Sequence, residues 1–267
     1  MQTDVTVPSA QSAIPQKTLF GVRFALTNYA EASDAIIAAA ASNCSFGVSA
    51  LAVHGLIEAH RSAELRNKIN RLDMVVPDGQ PIRWVLNHGA ASPLRDRVYG
   101  PLLTLHVMEK ASRLGLRVFL FGSRPETLDR FAAFIKAAYP GVVLTGMQAD
   151  RFREASAEED DADIATIRAS GAQIVLVGRG CPRQEQWVAD HLDRIPAAMM
   201  AVGAAFDFHA GVLRQAPEWM QRNGLEWLFR LIQEPTRLWK RYLVTNSYFI
   251  FLWGRYLLGL STDPKEE

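Results

Sequence analysis

Gly115-Leu116-Arg117-Val118-Phe119-Leu120-Phe121-Gly122-Ser123-Arg124-Pro125-Glu126 decides the fold class. Apart from Arg117, Leu116 to Phe121 is an apolar run bounded by two glycines, which reads as a strand covered on both faces. Pro125 and Glu126 then open a helix. Proline loses nothing at a first helical turn, where the N–H is unpaired anyway, and a carboxylate suits the positive end of the helix. That helix ends near Tyr139, Pro140 and Gly141. Working outward, the pattern repeats: a strand over Val142 to Leu144, a helix over Ile164 to Ala169, a strand over Gln173 to Val177, a helix over Gln184 to Leu192, and a strand over Ala198 to Val202. Upstream it reads as a helix over Asp34 to Ala41, a strand over Ser45 to Leu51, a helix over Ile57 to Arg71, a strand over Asp73 to Val76 that stops at Pro77, and a helix over Gln80 to Asn87. Apolar strands alternating with helices predict an α/β fold over residues 19–210: a Rossmann-like, mostly parallel sheet with helices on both faces.

The rest of the chain is bounded by composition. With 267 residues, 49% hydrophobic, 21% charged and a net charge of +1, it is an ordinary globular sequence with no electrostatic case for nucleic acid. Cys44 and Cys181 stand alone, so neither a zinc site nor a disulfide framework is spelled out, and a reducing cytoplasmic setting is expected. Residues 1–18 are polar, with Pro8 and Pro15, and read as a disordered leader. From about Gly211 the strand signal ends. Arg214 to Arg255 carries seven basic residues against three acidic ones, so residues 211–267 read as a basic, aromatic, helical, membrane-proximal appendage. Its most apolar stretch, Leu243 to Leu260, is interrupted by Asn246 and Arg255 and is too poor to span a bilayer. Peripheral contact with a membrane remains open.

In an open parallel sheet, ligands sit beyond the carboxyl ends of the strands. Asp78 follows Val75-Val76-Pro77 and precedes Gly79. There it is either a base for a hydroxyl nucleophile or an N-cap for the helix beginning near Gln80. Gly178-Arg179-Gly180-Cys181-Pro182-Arg183-Gln184-Glu185 follows another strand, and its glycines and helix start suit a diphosphate. It is only part of a dinucleotide fingerprint: Arg183 holds the third glycine position, and no acid closes the next strand at Val202. A nicotinamide-dependent oxidoreductase is therefore a rival reading, and a tight structural turn is the bland one. Gly122 and Ser123 form a third glycine turn, where Ser123 caps the helix or touches phosphate. In Gly203 to Gly211, Asp207 and His209 lack a third partner at metal-ligand spacing and read as packing. Asp161-Ala162-Asp163 has the form of a metal-binding DxD, yet it lies in an acidic helix start rather than at a strand end. Arg237, Lys240 and Arg241 share helical spacing after Pro235, with Trp239 beside them; they suit anionic headgroups or pyrophosphate, or form a solvated face.

Pro77-Asp78-Gly79, Arg97-Val98-Tyr99-Gly100, Gly178 to Glu185, Gly203 to Gly211, Gly224 to Leu231 and Glu234 to Tyr242, in that order, resemble the WecG/TagA/CpsF glycosyltransferases, family 26. The resemblance runs from about Phe20 to Phe251 and implies a GT-E-like fold. It implies an inverting, metal-independent hexosyltransferase or N-acetylhexosaminyltransferase with no cofactor. The donor would be a UDP-sugar, and the acceptor a polyprenyl-diphosphate-linked sugar at the inner face of the cytoplasmic membrane, for exopolysaccharide or related glycans. It places Asp78 as general base and Arg97 and Gln184 in the active site, and it puts Arg230, Arg237 and Lys240 in a tail that closes over phosphates. Ser49, Gly79, Gly122, Gly178, Gly180, Glu185 and Asp207 fall to substrate binding. Ser49-Ala50-Leu51 stands where the family often has Thr-Pro-Asn, and Leu51 cannot replace an asparagine's hydrogen bonds, which suggests a different donor sugar. A homo-oligomer is compatible with the sequence, and a non-catalytic scaffold of polysaccharide assembly is the rival from another class.

Overall fold

A computed structural model describes residues 14–260 and residue 262. Residues 1–13 of the expected leader lie outside the described residues. Gln16 to Thr18 of that leader belong to a strand, β1 (Gln16–Leu19), paired antiparallel with β2 (Val22–Ala25). This hairpin buries Leu19, Phe20, Val22 and Phe24 against the main body.

The sheet is six-stranded and all parallel. Its strands are β3 (Phe46–Leu51), β4 (Met74–Pro77), β5 (Arg117–Gly122), β6 (Val143–Gln148), β7 (Ile174–Gly178) and β8 (Ala198–Ala201), in the spatial order β4-β3-β8-β7-β5-β6. The chain runs out to one edge through β3 and β4, crosses to the other through β5 and β6, and returns through β7 and β8. Crossovers that leave the centre in opposite directions open a crevice above the strand ends. Alternation shows why the strands read as unbroken apolar runs. Val175 and Val177 of β7 and Phe119 and Phe121 of β5 face one core, while Ile174 and Leu176, with Val118 and Leu120, face the other. Side chains on a strand point to opposite faces in turn, so a sheet covered on both sides needs apolar residues at every position.

One layer consists of α1 (Tyr29–Ala41), α5 (Gly100–Leu114), α6 (Pro125–Ala138) and α9 (Ala205–His209). The other contains α2 (Val53–Arg61), α3 (Ala63–Arg71), α4 (Gln80–Asn87), α7 (Ala157–Ala169) and α8 (Arg183–Asp190). The single helix expected from Ile57 to Arg71 is two. Ser62 is extended, ends α2 and caps α3 through Oγ, which accepts from Leu65 N. α7 starts seven residues before Ile164 because Ser156 and Glu159 form a reciprocal capping box. The carboxyl-terminal segment forms α10 (Glu218–Arg222), α11 (Glu226–Gln233) and α12 (Pro235–Leu257). α12 lies against α2 and contributes Phe249 and Leu252 to the core. Among the described residues no helix is long and apolar enough to cross a membrane.

Candidate active site

The ends of β3, β4, β7 and β8 form the floor of a cavity of about 1350 Å³, and the segment from Val212 to Trp253 roofs it. Asp78 lines it directly after β4. The N-cap of α4 is Gly79, with no side-chain hydrogen bond, so Asp78 does not cap that helix. Its Oδ1 instead accepts from the N–H of Gly100, the first residue of α5, at 2.6 Å. Among the described residues Oδ2 takes no hydrogen bond. Burial pushes the carboxyl up to about 6, against the pull of the Arg97 guanidinium and the Gly100 N–H. A carboxylate that titrates near neutrality, with one oxygen anchored and one free over a cavity, is built to take a proton.

Arg97 lines the cavity, but its guanidinium is engaged. Nη2 lies 2.6 Å from Glu226 Oε2 and 3.2 Å from Gln221 Oε1, and the group stacks over Tyr99 at 4.1 Å. Tyr99 donates its hydroxyl to Glu226 Oε1 at 2.7 Å. Nothing in the sequence pattern around Glu226 announces this pairing, which joins residues more than 120 positions apart.

Gln184 and Glu185 line the cavity from the first turn of α8. Gln184 Nε2 donates to Glu185 Oε1 at 2.8 Å, and Ser49 Oγ donates to the same oxygen at 3.2 Å. Among the described residues, Gln184 Oε1 and Glu185 Oε2 are buried without a hydrogen-bond partner. Burial raises the Glu185 carboxyl above its ordinary value. Gly79, Gly178, Gly180, Asp207, Arg230 and Arg237 also line the cavity, as the sequence suggested. Burial raises the Asp207 carboxyl, opposed by Arg230 and Arg237, so that the roof's cations face the floor's acids.

Several expectations need correction. Ser49 is wholly buried beneath the cavity and supports Glu185 rather than meeting a substrate. Gly122 does not line the site. It lets two strand ends meet: its φ is +112°, and a β-carbon there would come within 2.6 Å of the Gly178 carbonyl oxygen. Ser123 does reach the cavity and is not the N-cap of α6, which is Arg124. Leu51 points into the core, and Ala50 faces the cavity at that place, so the departure at Leu51 removes no side chain from the site. Lys240 lies outward over Trp239; Arg241, one helical turn after Arg237, takes the cavity position. A helix turn is close to four residues, so i and i+4 share the inner face while i+3 drifts to its flank. Unforeseen lining residues include His54, Trp84, Arg124 and Arg179. The arginines each follow a strand-end glycine turn, which was the available signal.

His209 packs against Phe131 and Phe134 and hydrogen-bonds the Pro101 carbonyl, outside the cavity. Asp163 is buried against Arg151 and Gln148, and Asp161 pairs with Arg194. Among the described residues no three His, Cys, Asp or Glu side chains gather as a metal site requires. The strand after Gly178 to Gly180 ends in Ala201, Val202 and Gly203, with no acid to hold a ribose, so the floor does not complete a nicotinamide site.

Residues 17–262 match the glycosyl transferase WecG/TagA/CpsF family. The chain belongs to that family. A WecG/TagA/CpsF protein is a glycosyltransferase of cell-surface glycan biosynthesis, with a sugar donor and an acceptor as its substrates. The membership covers the roof as well as the sheet: Glu226, Arg230 and Arg237 fall within the matched residues.

Proposed function

We propose that the protein moves a hexosyl or N-acetylhexosaminyl group from a UDP-sugar to a sugar carried on a polyprenyl diphosphate, with inversion at the anomeric carbon and without a metal. The observation that carries this reading is the opposition across one cavity of Asp78 on the floor and Arg230, Arg237 and Arg241 on the roof, with Arg124 and Arg179 at the strand ends. Asp78 Oδ2 takes the proton of the acceptor hydroxyl as that oxygen bonds to the anomeric carbon. The bond from that carbon to the β-phosphate oxygen breaks on the opposite face, and its electron pair leaves with UDP. The arginines and the strand-end backbone N–H groups meet the charge that develops on the diphosphate. Gln184 and Glu185 offer acceptors to sugar hydroxyls.

The acceptor's lipid suits the outer side of the roof. Ile232, Phe251 and Leu258 are exposed there, with Lys240 among them. Apolar side chains beside a cation favour the anionic inner face of a cytoplasmic membrane. A panel of UDP-sugars, incubated with the protein and vesicles carrying a polyprenyl-diphosphate sugar, tests the proposal. Transfer from one donor is expected; neither transfer nor hydrolysis with any donor would favour the scaffold reading.

A further inference from the structure

α11 carries Arg230 over the cavity, yet none of its residues is fully buried. Apolar burial is therefore a weak anchor for this helix. Its far end is tied by the Gln233–Arg214 hydrogen bonds and its Trp227 packs against Tyr242, while its amino-terminal end is held at two points. One is steric: Gly224, just before α11, adopts a φ of +69° and seats against Trp84, where a β-carbon would come within 2.6 Å of the ring. The other is Glu226. Its two carboxylate oxygens divide between Arg97 Nη2 at 2.6 Å and the Tyr99 hydroxyl at 2.7 Å, and all three side chains are largely shielded from water. Gln221, on α10, adds a bond to the same guanidinium nitrogen.

Residues 97–100 are the hub of this arrangement. Arg97 and Tyr99 hold the roof through Glu226, while Gly100 N–H, one residue on, holds Asp78 Oδ1 at 2.6 Å. The Tyr99 N–H is itself pinned, donating to the Tyr29 hydroxyl at 3.0 Å. A pull on Glu226 is thus transmitted through a short, tethered stretch of backbone to the group that anchors Asp78.

We infer that Glu226 is a positioning residue: it latches the helical roof to residues 97–100 and thereby fixes Asp78 and the cationic roof relative to each other. The inference rests on the reading of Asp78 as the base, but its test needs no sugar. The charged and titratable groups facing Asp78 are Arg97 and Tyr99 from the segment leading into α5, Tyr29 from α1, and Glu226 and Arg230 from α11. Neutralising Glu226 removes a negative neighbour, frees Arg97 to attract Asp78, and lets water reach the carboxyl as the roof loosens. All three effects favour the ionised form, and only the retreat of Arg230 opposes them.

The experiment compares the full-length protein with Glu226→Gln, Glu226→Asp and Tyr99→Phe. Two readouts are taken without substrate: hydrogen exchange of residues 226–233, and titration of the Asp78 carboxyl by carbon-13 NMR. Glu226→Gln is expected to speed exchange there by about tenfold or more, because one partner of a shielded ion pair has been lost. It should also lower the Asp78 midpoint by roughly half a unit or more, the scale of one charge removed from a shielded site. Glu226→Asp, which keeps the charge, should restore part of the midpoint. Tyr99→Phe, which removes a hydrogen bond and no charge, should speed exchange while moving the midpoint less; it carries the exchange measurement if the glutamine variant does not fold. Wild-type exchange in both Glu226→Gln and Tyr99→Phe, or an unmoved Asp78 midpoint in Glu226→Gln, would overturn the latch. A failure of sugar transfer in the unaltered protein would overturn the proposed reaction and leave both readouts intact.

Discussion

Asp78→Asn is expected to make the protein more stable and nearly inactive. Raising this carboxyl from 3.8 to about 6 means that the native state disfavours its ionised form by about 3 kcal/mol relative to the unfolded chain. Because the side chain borders an open cavity, water there trims the figure, and about 1 to 3 kcal/mol is the expected range. The sign follows from proton linkage. Between pH 3.8 and about 6 the native state holds a proton that the unfolded state releases, so the unaltered protein loses stability as pH rises through that window. Asparagine carries no charge to penalise, and its Oδ1 can still accept from Gly100 N–H. The variant should therefore match the original near pH 4 and exceed it by the full amount at pH 8. Urea unfolding at several pH values measures the difference, and a transfer assay on the same samples should show a loss of about 10²- to 10⁴-fold, the usual worth of a general base. Equal stability of the two proteins at pH 8, or near-normal transfer by the asparagine variant, would refute the reasoning.

Three further outcomes are expected. Because the base must be ionised, kcat/KM for transfer should fall as pH drops through about 6, and a rate that holds steady to pH 5 would exclude Asp78 as the titrating group. Arg230→Ala and Arg237→Ala should each cut kcat/KM about 10- to 100-fold with little change in urea midpoint, since their pairings with Glu234 are partly exposed and worth at most about 1 kcal/mol; steady-state kinetics and denaturation on the same proteins check both halves. Phe249→Ala should cost about 3 to 5 kcal/mol, measured by urea unfolding, because the ring sits in the core against Phe20.

Cutting the chain before Gly211 would remove more than the roof. Phe249 and Leu252 of α12 complete the core over the hairpin and α2, so truncation would open that core as well as remove the roof.

The inner strands were legible because they had to be apolar on both faces, whereas edge strand β6, half exposed and partly polar, showed only its first residues, and the helix starts at Gln80 and Pro125 were legible because proline and strand-end turns mark them locally. The floor of the site was legible for the same reason: Asp78, Gly178 and Glu185 follow strands, and strand ends are where an open parallel sheet binds. What the sequence hid depends on distant partners. The hairpin at Gln16 to Ala25 is short and half exposed, with little period-two signal. α5 begins without a side-chain cap of its own, its first N–H being met by Asp78 from 22 residues away. Ser49 and Leu51 could be assigned to the site or the core only once the register of β3 was known, since one residue's change turns every side chain to the other face. The pairing of Glu226 with Arg97 and Tyr99 has no local signature at all, because only the tertiary fold brings the roof to the floor.

The central claim, inversion driven by Asp78 beneath a cationic roof, is tested most directly by the anomeric configuration of the transferred sugar. With the active UDP-sugar and a polyprenyl-diphosphate-linked acceptor, proton NMR of the product made by the unaltered protein should show the configuration opposite to that of the donor. A product that keeps the donor's configuration would contradict the claim.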